Sequence, residues 1–256
     1  MRLPLHKLRT FARGLSTPTN NARTIQKLLG TNKFGKVRRR MGAPSANGAV
    51  FNLSNAKYVV KVVPNSAAVN REIKIQNSLA KKNIAPKVQY NRTISVNPSN
   101  IRGIFKTSKP PQRLKLFVMN RVGSGWFDKY MSVYNYKKKY GNLNYDDYKK
   151  IANKVINMHK EGVLHANMHG ENIALVVDRH GKIKQVYIID FGRSKPLRVT
   201  RTGLSAAIKR TLGYNYNYSQ NAYWSKGGTG RRNNLSMLKN FNPTHFNRYM
   251  REKNMR

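Results

Sequence analysis

Residues 165–172 read His165, Ala166, Asn167, Met168, His169, Gly170, Glu171 and Asn172, and eighteen positions after Asn172 come Asp190, Phe191 and Gly192. Amides, imidazoles and carboxylates collected in two short segments can orient a substrate, accept hydrogen bonds and carry charge. The first segment lacks a strong base at its centre. Asn167 can accept a hydrogen bond and orient a hydroxyl, but an amide takes no proton at neutral pH. A metal site on His165 and His169 with Glu171 lacks a further ligand at suitable spacing. Upstream, Lys61 lies in the β-branched run 58–63, and Glu72 falls among Val69, Ile73, Leu79 and Ala80 on one face of a helix expected over 66–82. A carboxylate in an apolar stripe costs free energy unless a cation meets it.

The elements that must position these residues are well signalled. Asn144 can cap a helix whose first turn holds Asp146 and Asp147, at the positive end of its dipole. Its buried stripe is Tyr148, Ile151, Val155 and Met158, and Gly162 ends it. Val163 and Leu164 then lead into the polar segment. A strand over 173–177, a turn at 178–181 and a second strand over 185–189 deliver Asp190. Nearer the N-terminus, turn formers at 42–48 run into a strand. Gly48 there would let the backbone approach phosphate oxygens, with Ala43 and Ser45 small enough not to block them. Residues 116–119 read as a buried strand, 120–125 as a flexible connection, 126–130 as the start of a helical region, and the Tyr/Lys-rich 134–140 as a solvated insertion.

With this layout, the two polar segments resemble the catalytic loop and the metal-binding strand end of the protein-kinase-like superfamily. The resemblance covers residues 42–195 and is strongest over 163–193. It implies an α+β, bilobal protein-kinase-like fold, with a small β-rich N-lobe containing one helix and a reduced, mainly helical C-lobe. It also implies ATP and Mg2+ as cofactors. Asn172 and Asp190 match the magnesium ligands, while Lys61, paired with Glu72, matches the lysine held against the nucleotide's α- and β-phosphates. Ala43, Ser45 and Gly48 stand at the three glycine positions of the phosphate-covering loop, with Val50 two residues beyond the last. The connection at 120–125 matches the hinge, where adenine is held by backbone hydrogen bonds. His165 matches a residue that supports the loop backbone, and His169 replaces the lysine of Ser/Thr kinases.

Asn167 stands where the family carries its catalytic Asp. General-base assistance is worth roughly 10²–10⁴-fold, so the resemblance implies a pseudokinase or a very slow kinase with nucleotide-site residues retained. An active Ser/Thr or small-molecule phosphotransferase is the alternative, and a purely structural basic protein the second alternative.

A formal net charge of +41 on 256 residues, with nine acids and none before Glu72, favours association with nucleic acid, an anionic membrane surface or an acidic protein. Zero cysteines exclude disulfides and thiolate metal sites. No apolar run approaches the roughly 18–20 residues of a membrane span, so the expectation is a soluble or peripherally bound chain, with an intracellular location. Asn-rich composition and this style of loop are reminiscent of kinase-like proteins of large DNA viruses, which makes a virion, with contacts to neighbouring subunits, one expected setting. Residues 1–41 read as a basic, partly extended arm. Their resemblance to a mitochondrial presequence is the lesser reading, because acids are rare throughout the chain. The expected divisions are therefore 1–41, the N-lobe 42–120, the C-lobe core 121–195, and 196–256. The last is a reduced, loop-rich, basic tail in which Tyr214, Tyr216 and Tyr218 suit either the buried face of a strand or stacking on bases.

Overall fold

A computed structural model describes residues 19–42, 47–101, 103–107, 109–123, 128–196 and 234–253. The chain is a mixed α+β protein. It divides into two compact units, Met1–Asn65 with Gln89–Met119, and Ser66–Val88 with Asn120–Arg256.

The first unit is built on one five-stranded sheet. Its strands are β1 (Val37–Met41), β2 (Ala49–Leu53), β3 (Tyr58–Pro64), β4 (Val88–Ser95) and β5 (Arg113–Asn120), in the order β1-β2-β3-β5-β4. Alternation decides which face is buried: Phe51, Val60, Val62, Leu114, Leu116 and Val118 join one apolar cluster. The lid over that cluster comes from the stretch expected to be an extended arm. Helix α1 (Thr19–Leu29) adds Ile25 and Leu29, and the following loop adds Phe34, which meets Tyr58 edge-on with ring centroids 5.3 Å apart. The reading of 1–41 as an arm is therefore corrected for its second half. Arg and Lys dominate the composition, but Ala22, Ile25 and Leu29 recur at helical spacing and have a sheet to cover. One side chain fastens the helix to the sheet: Gln26 Nε2 donates to Thr31 O at 3.0 Å, while its Oε1 accepts from Val37 N at 2.6 Å.

The second unit opens with α2 (Ala67–Ala80), capped by Ser66, whose Oγ accepts from Val69 N at 3.2 Å. After β5 come β6 (Lys129–Ser132), α3 (Val133–Tyr140), α4 (Tyr145–Lys160), β7 (Val163–Leu164), β8 (Ile173–Val177), β9 (Ile183–Ile188) and β10 (Lys195–Pro196). β6, β8 and β9 form an antiparallel sheet, and β7 pairs with β10. Every residue of β8 is buried, as its unbroken apolar sequence requires. Asn144 caps α4 as expected, its Oδ1 accepting from Asp147 N at 2.8 Å, and Tyr148, Ile151, Val155 and Met158 are fully buried.

Three readings change in this unit. Residues 129–132 form a strand rather than the start of a helical region; Trp126 and Phe127 lie outside the described residues. The segment read as a solvated insertion is α3, which buries Val133 and Tyr136 and donates from the Tyr136 hydroxyl to Gly181 O at 3.1 Å. Lys138 and Lys139 are exposed and Lys137 is half-buried, so average polarity concealed one buried side. The tail read as loop-rich contributes α5 (Asn234–Phe241) and α6 (Pro243–Glu252) to the core through Met237, Leu238, Phe241, Phe246, Tyr249 and Met250. Tyr148 donates to Leu238 O at 3.0 Å and Tyr249 to Asn153 Oδ1 at 2.8 Å, locking these helices against α4. The alternating tyrosines at 214–218 lie outside the described residues. No helix among the described residues is long and apolar enough to cross a membrane.

Candidate functional site

Each unit assembles its own group of the residues singled out by chemistry. In the first, β2 and β3 pair so that Val50 lies directly opposite Lys61. The Lys61 ammonium sits 5.6 Å from the centroid of the Phe117 ring on β5. Gly48 enters β2 at φ 149°, and a Cβ there would meet Val63 Cγ1 at 2.6 Å and Val62 O at 2.7 Å. Only glycine fits so close to β3. Ala43 and Ser45 lie outside the described residues.

In the second unit, α4 ends at Gly162 (φ 71°) and hands the chain through β7 to residues 165–172. His165 is fully buried. Its Nε2 donates to Ile189 O at 2.9 Å, one residue before Asp190, and its ring lies edge-on to Phe191 with centroids 5.2 Å apart. A carbonyl can only accept, so Nε2 carries the proton. Burial pushes this imidazole down to about 4, opposed by its bond to Ile189, and it stays neutral across the physiological range. Ser194 Oγ donates to His165 O at 3.3 Å, and Ile189 N donates to Asn172 O at 3.0 Å. The two polar segments are thus laced together on both sides of Asp190.

Asn172 is held from within the same segment. It is buried, and its Nδ2 lies 2.8 Å from Asn167 O and 3.1 Å from His169 Nε2. The Asn167 carbonyl can only accept, so Nδ2 faces it, the amide orientation is set and Oδ1 remains the acceptor atom. An imidazole that carries a proton on one nitrogen accepts only at the other, so a given tautomer makes one of two hydrogen bonds, from Asn172 Nδ2 to Nε2 or from Glu171 N to Nδ1 at 3.3 Å. The brace uses the backbone carbonyl of Asn167 rather than its side chain. The identity of residue 167 is therefore independent of the loop's support.

Asp190 takes φ 65° and ψ 65°, and Ala166 φ 59°. Of the three non-glycine residues with positive φ among those described, two belong to these segments. Such backbone persists where surrounding contacts over-determine it, a pattern that clusters at functional sites. Glu72, buried on α2, reaches the same neighbourhood. A Cβ placed on Gly192 would lie 3.4 Å from Glu72 Oε2 and 3.8 Å from Asp190 Oδ1. α2 is held there from its C-terminal end: Gln76 Nε2 donates to Pro86 O at 2.7 Å, and Ile84 O accepts from Ile188 N at 2.8 Å, two residues before Asp190.

The second unit thus brings together Glu72, Asn167, Asn172 and Asp190, and the first brings together Gly48, Val50 and Lys61. Sequence reasoning missed Ser194, and it named Gly192 and His169 without seeing the closeness of the first to Glu72 or the contact of the second with Asn172. A polar residue just beyond the Asp190 turn was the only available signal for Ser194. The oxygen donors Asn172 Oδ1 and the Asp190 carboxylate suit a hard divalent cation. Among the described residues no group of three or more His, Cys, Asp or Glu could hold a metal ion, and His165 and His169 are engaged as above. No protein-family model matches the chain, and no curated protein matches it.

Proposed function

We propose that this chain is a protein-kinase-like protein of bilobal fold whose phosphotransfer is weakened at Asn167 while its nucleotide and metal residues are kept. In this reading it is a pseudokinase whose basic surface docks it to nucleic acid or to a large assembly such as a viral particle. The observation that carries it is the bracing of Asn172 and Asp190 around a residue that cannot act as a base. Loop support, amide orientation and the left-handed turn at Asp190 are all in place. Asn172 Oδ1 and the Asp190 carboxylate would hold Mg2+, and Lys61 would meet the phosphates of ATP. The metal supplies neutralisation of the charge on the phosphoryl oxygens. Asn167 contributes orientation of an acceptor hydroxyl and leaves its proton in place until solvent or the phosphate takes it.

Thermal shift tests the cofactor half. The melting temperature rises with ATP only when Mg2+ is present, and Asp190→Ala abolishes the rise. A chain indifferent to Mg-ATP is a purely structural basic protein. Phosphotransfer to itself or to a general acceptor at ordinary kinase rates, lost in Asp190→Ala, would replace the pseudokinase reading with an active Ser/Thr or small-molecule phosphotransferase.

A further inference from the structure

All nine acids of the chain lie in the second unit; Met1–Asn65 and Gln89–Met119 contain 19 of the 50 Lys and Arg and no carboxylate. No ion pair can form within the first unit. Structural tasks for which Asp is well suited are filled there by neutral acceptors. Asn55 Oδ1 accepts from Lys57 N at 3.1 Å, Ser54 Oγ from Lys36 N at 2.7 Å, and Asn97 Oδ1 from Ser99 N at 3.0 Å. Solubility alone does not require this, because charges of either sign provide it.

The exposed cations gather on α1, the loop after it and β1. Arg23 and Lys27 stand one turn apart on the outer side of α1, followed by Lys33, Lys36, Arg38 and Arg39. β1 is a sheet edge. Its register against β2 slips between Val37 and Arg40, so Arg38 and Arg39 occupy a bulge that turns them off the ladder. The surface is preformed. Gln26 ties α1 to the loop and to the start of β1, and Arg40 Nη1 is fixed on Gly103 O at 3.1 Å.

We propose that α1 and β1, with the loop between them, form a platform that grips the phosphodiester backbone of nucleic acid. The proposal rests on the nucleic-acid docking put forward above and gives it a place. Arginine forks suit phosphate oxygens. The apolar side of α1 is occupied by the sheet, so the helix has no free face to insert into lipid.

The test compares three full-length proteins by salt-dependent binding to random-sequence DNA, duplex and single-stranded. They are the wild type, R23A/K27A/R38A/R39A, and a control with the same charge change in the second unit, K81A/K82A/K138A/K139A. All eight side chains are exposed, and unchanged melting temperatures verify folding. The platform variant loses roughly tenfold or more in affinity across unrelated sequences. The slope of log K against log salt becomes shallower by about two to four, while the control stays near the wild type. Equal losses in both variants would mean that net charge alone acts, which overturns the platform. A platform variant that binds like the wild type overturns the location and leaves the docking reading standing. Wild-type protein that ignores DNA at low salt overturns both, as does binding to anionic phosphatidylserine vesicles that DNA does not compete away.

Discussion

The two units solve the same folding problem with different side chains. The second spends its scarce carboxylates on defined tasks. Asp147 pairs with Lys150 at 2.8 Å near the start of α4, Asp178 Oδ1 accepts from His180 N and Lys182 N in the β8–β9 turn, and Glu252 meets Lys149 and Arg248. The first has none and relies on Gln26, Ser54, Asn55 and Asn97. Both build a continuous apolar cluster, and the first does so without a carboxylate. Where they occur, they mark helix starts, turns, ion pairs or the candidate site.

The largest expected effect sharpens the chemical side of this contrast. Asn167→Asp adds a carboxylate where the loop's brace uses only backbone, so phosphotransfer rises by roughly 10²–10⁴-fold and the melting temperature barely moves. A radiolabelled-phosphate transfer assay beside a melting curve reads both. Unchanged transfer in N167D would remove Asn167 as the limiting defect.

Acid separates the units next. Burial pushes His159 and His165 down to about 4, against about 6.5 in the unfolded chain. The folded state therefore binds fewer protons than the unfolded one between those values. Their contribution is intact above about pH 6.5, falls as pH drops, and is gone below about 4. The full loss is on the order of 3 kcal/mol for each imidazole. The described part of the first unit has neither acids nor histidines. Hydrogen exchange at pH 4.5 should thus loosen α4 and β8 while β2 and β3 keep their protection, and equal loosening in both would break the contrast.

Gly48→Ala probes the first unit alone. A Cβ 2.6 Å from Val63 and a positive φ together cost about 1–3 kcal/mol, seen as a lower denaturant midpoint and faster exchange in β2 and β3. The smallest effect is Asn144→Ala. Losing the cap of α4 costs about 1 kcal/mol, with exchange accelerated in the second unit only.

Much of the second unit was legible in the sequence because its signals are local. A cap at Asn144, a stripe through Met158, a terminating glycine and the strand, turn and strand after Asn172 each lie within one element. The same locality misled elsewhere. α1 was obscured by surrounding arginines, α3 by its lysines, and α5 and α6 by distance from the motifs. Each was recognisable only once the surface it covers existed. In the candidate site, residue types and order were readable, whereas Ser194 and Gly192 acquire meaning from contacts 29 residues away or on another helix.

By itself the sequence determined the charge asymmetry, the absence of a base at 167, the buried stripe of α4 and the presence of two polar segments joined by strands. These follow from composition and from periodicities of a few residues. Only the tertiary structure decided that Asn172 leans on the carbonyl of Asn167, that Asp190 turns left-handed beside Glu72, and that the basic stretch 19–41 folds into a helix and an edge strand. Those outcomes depend on which distant backbone groups and apolar faces meet. A local pattern carries no record of that.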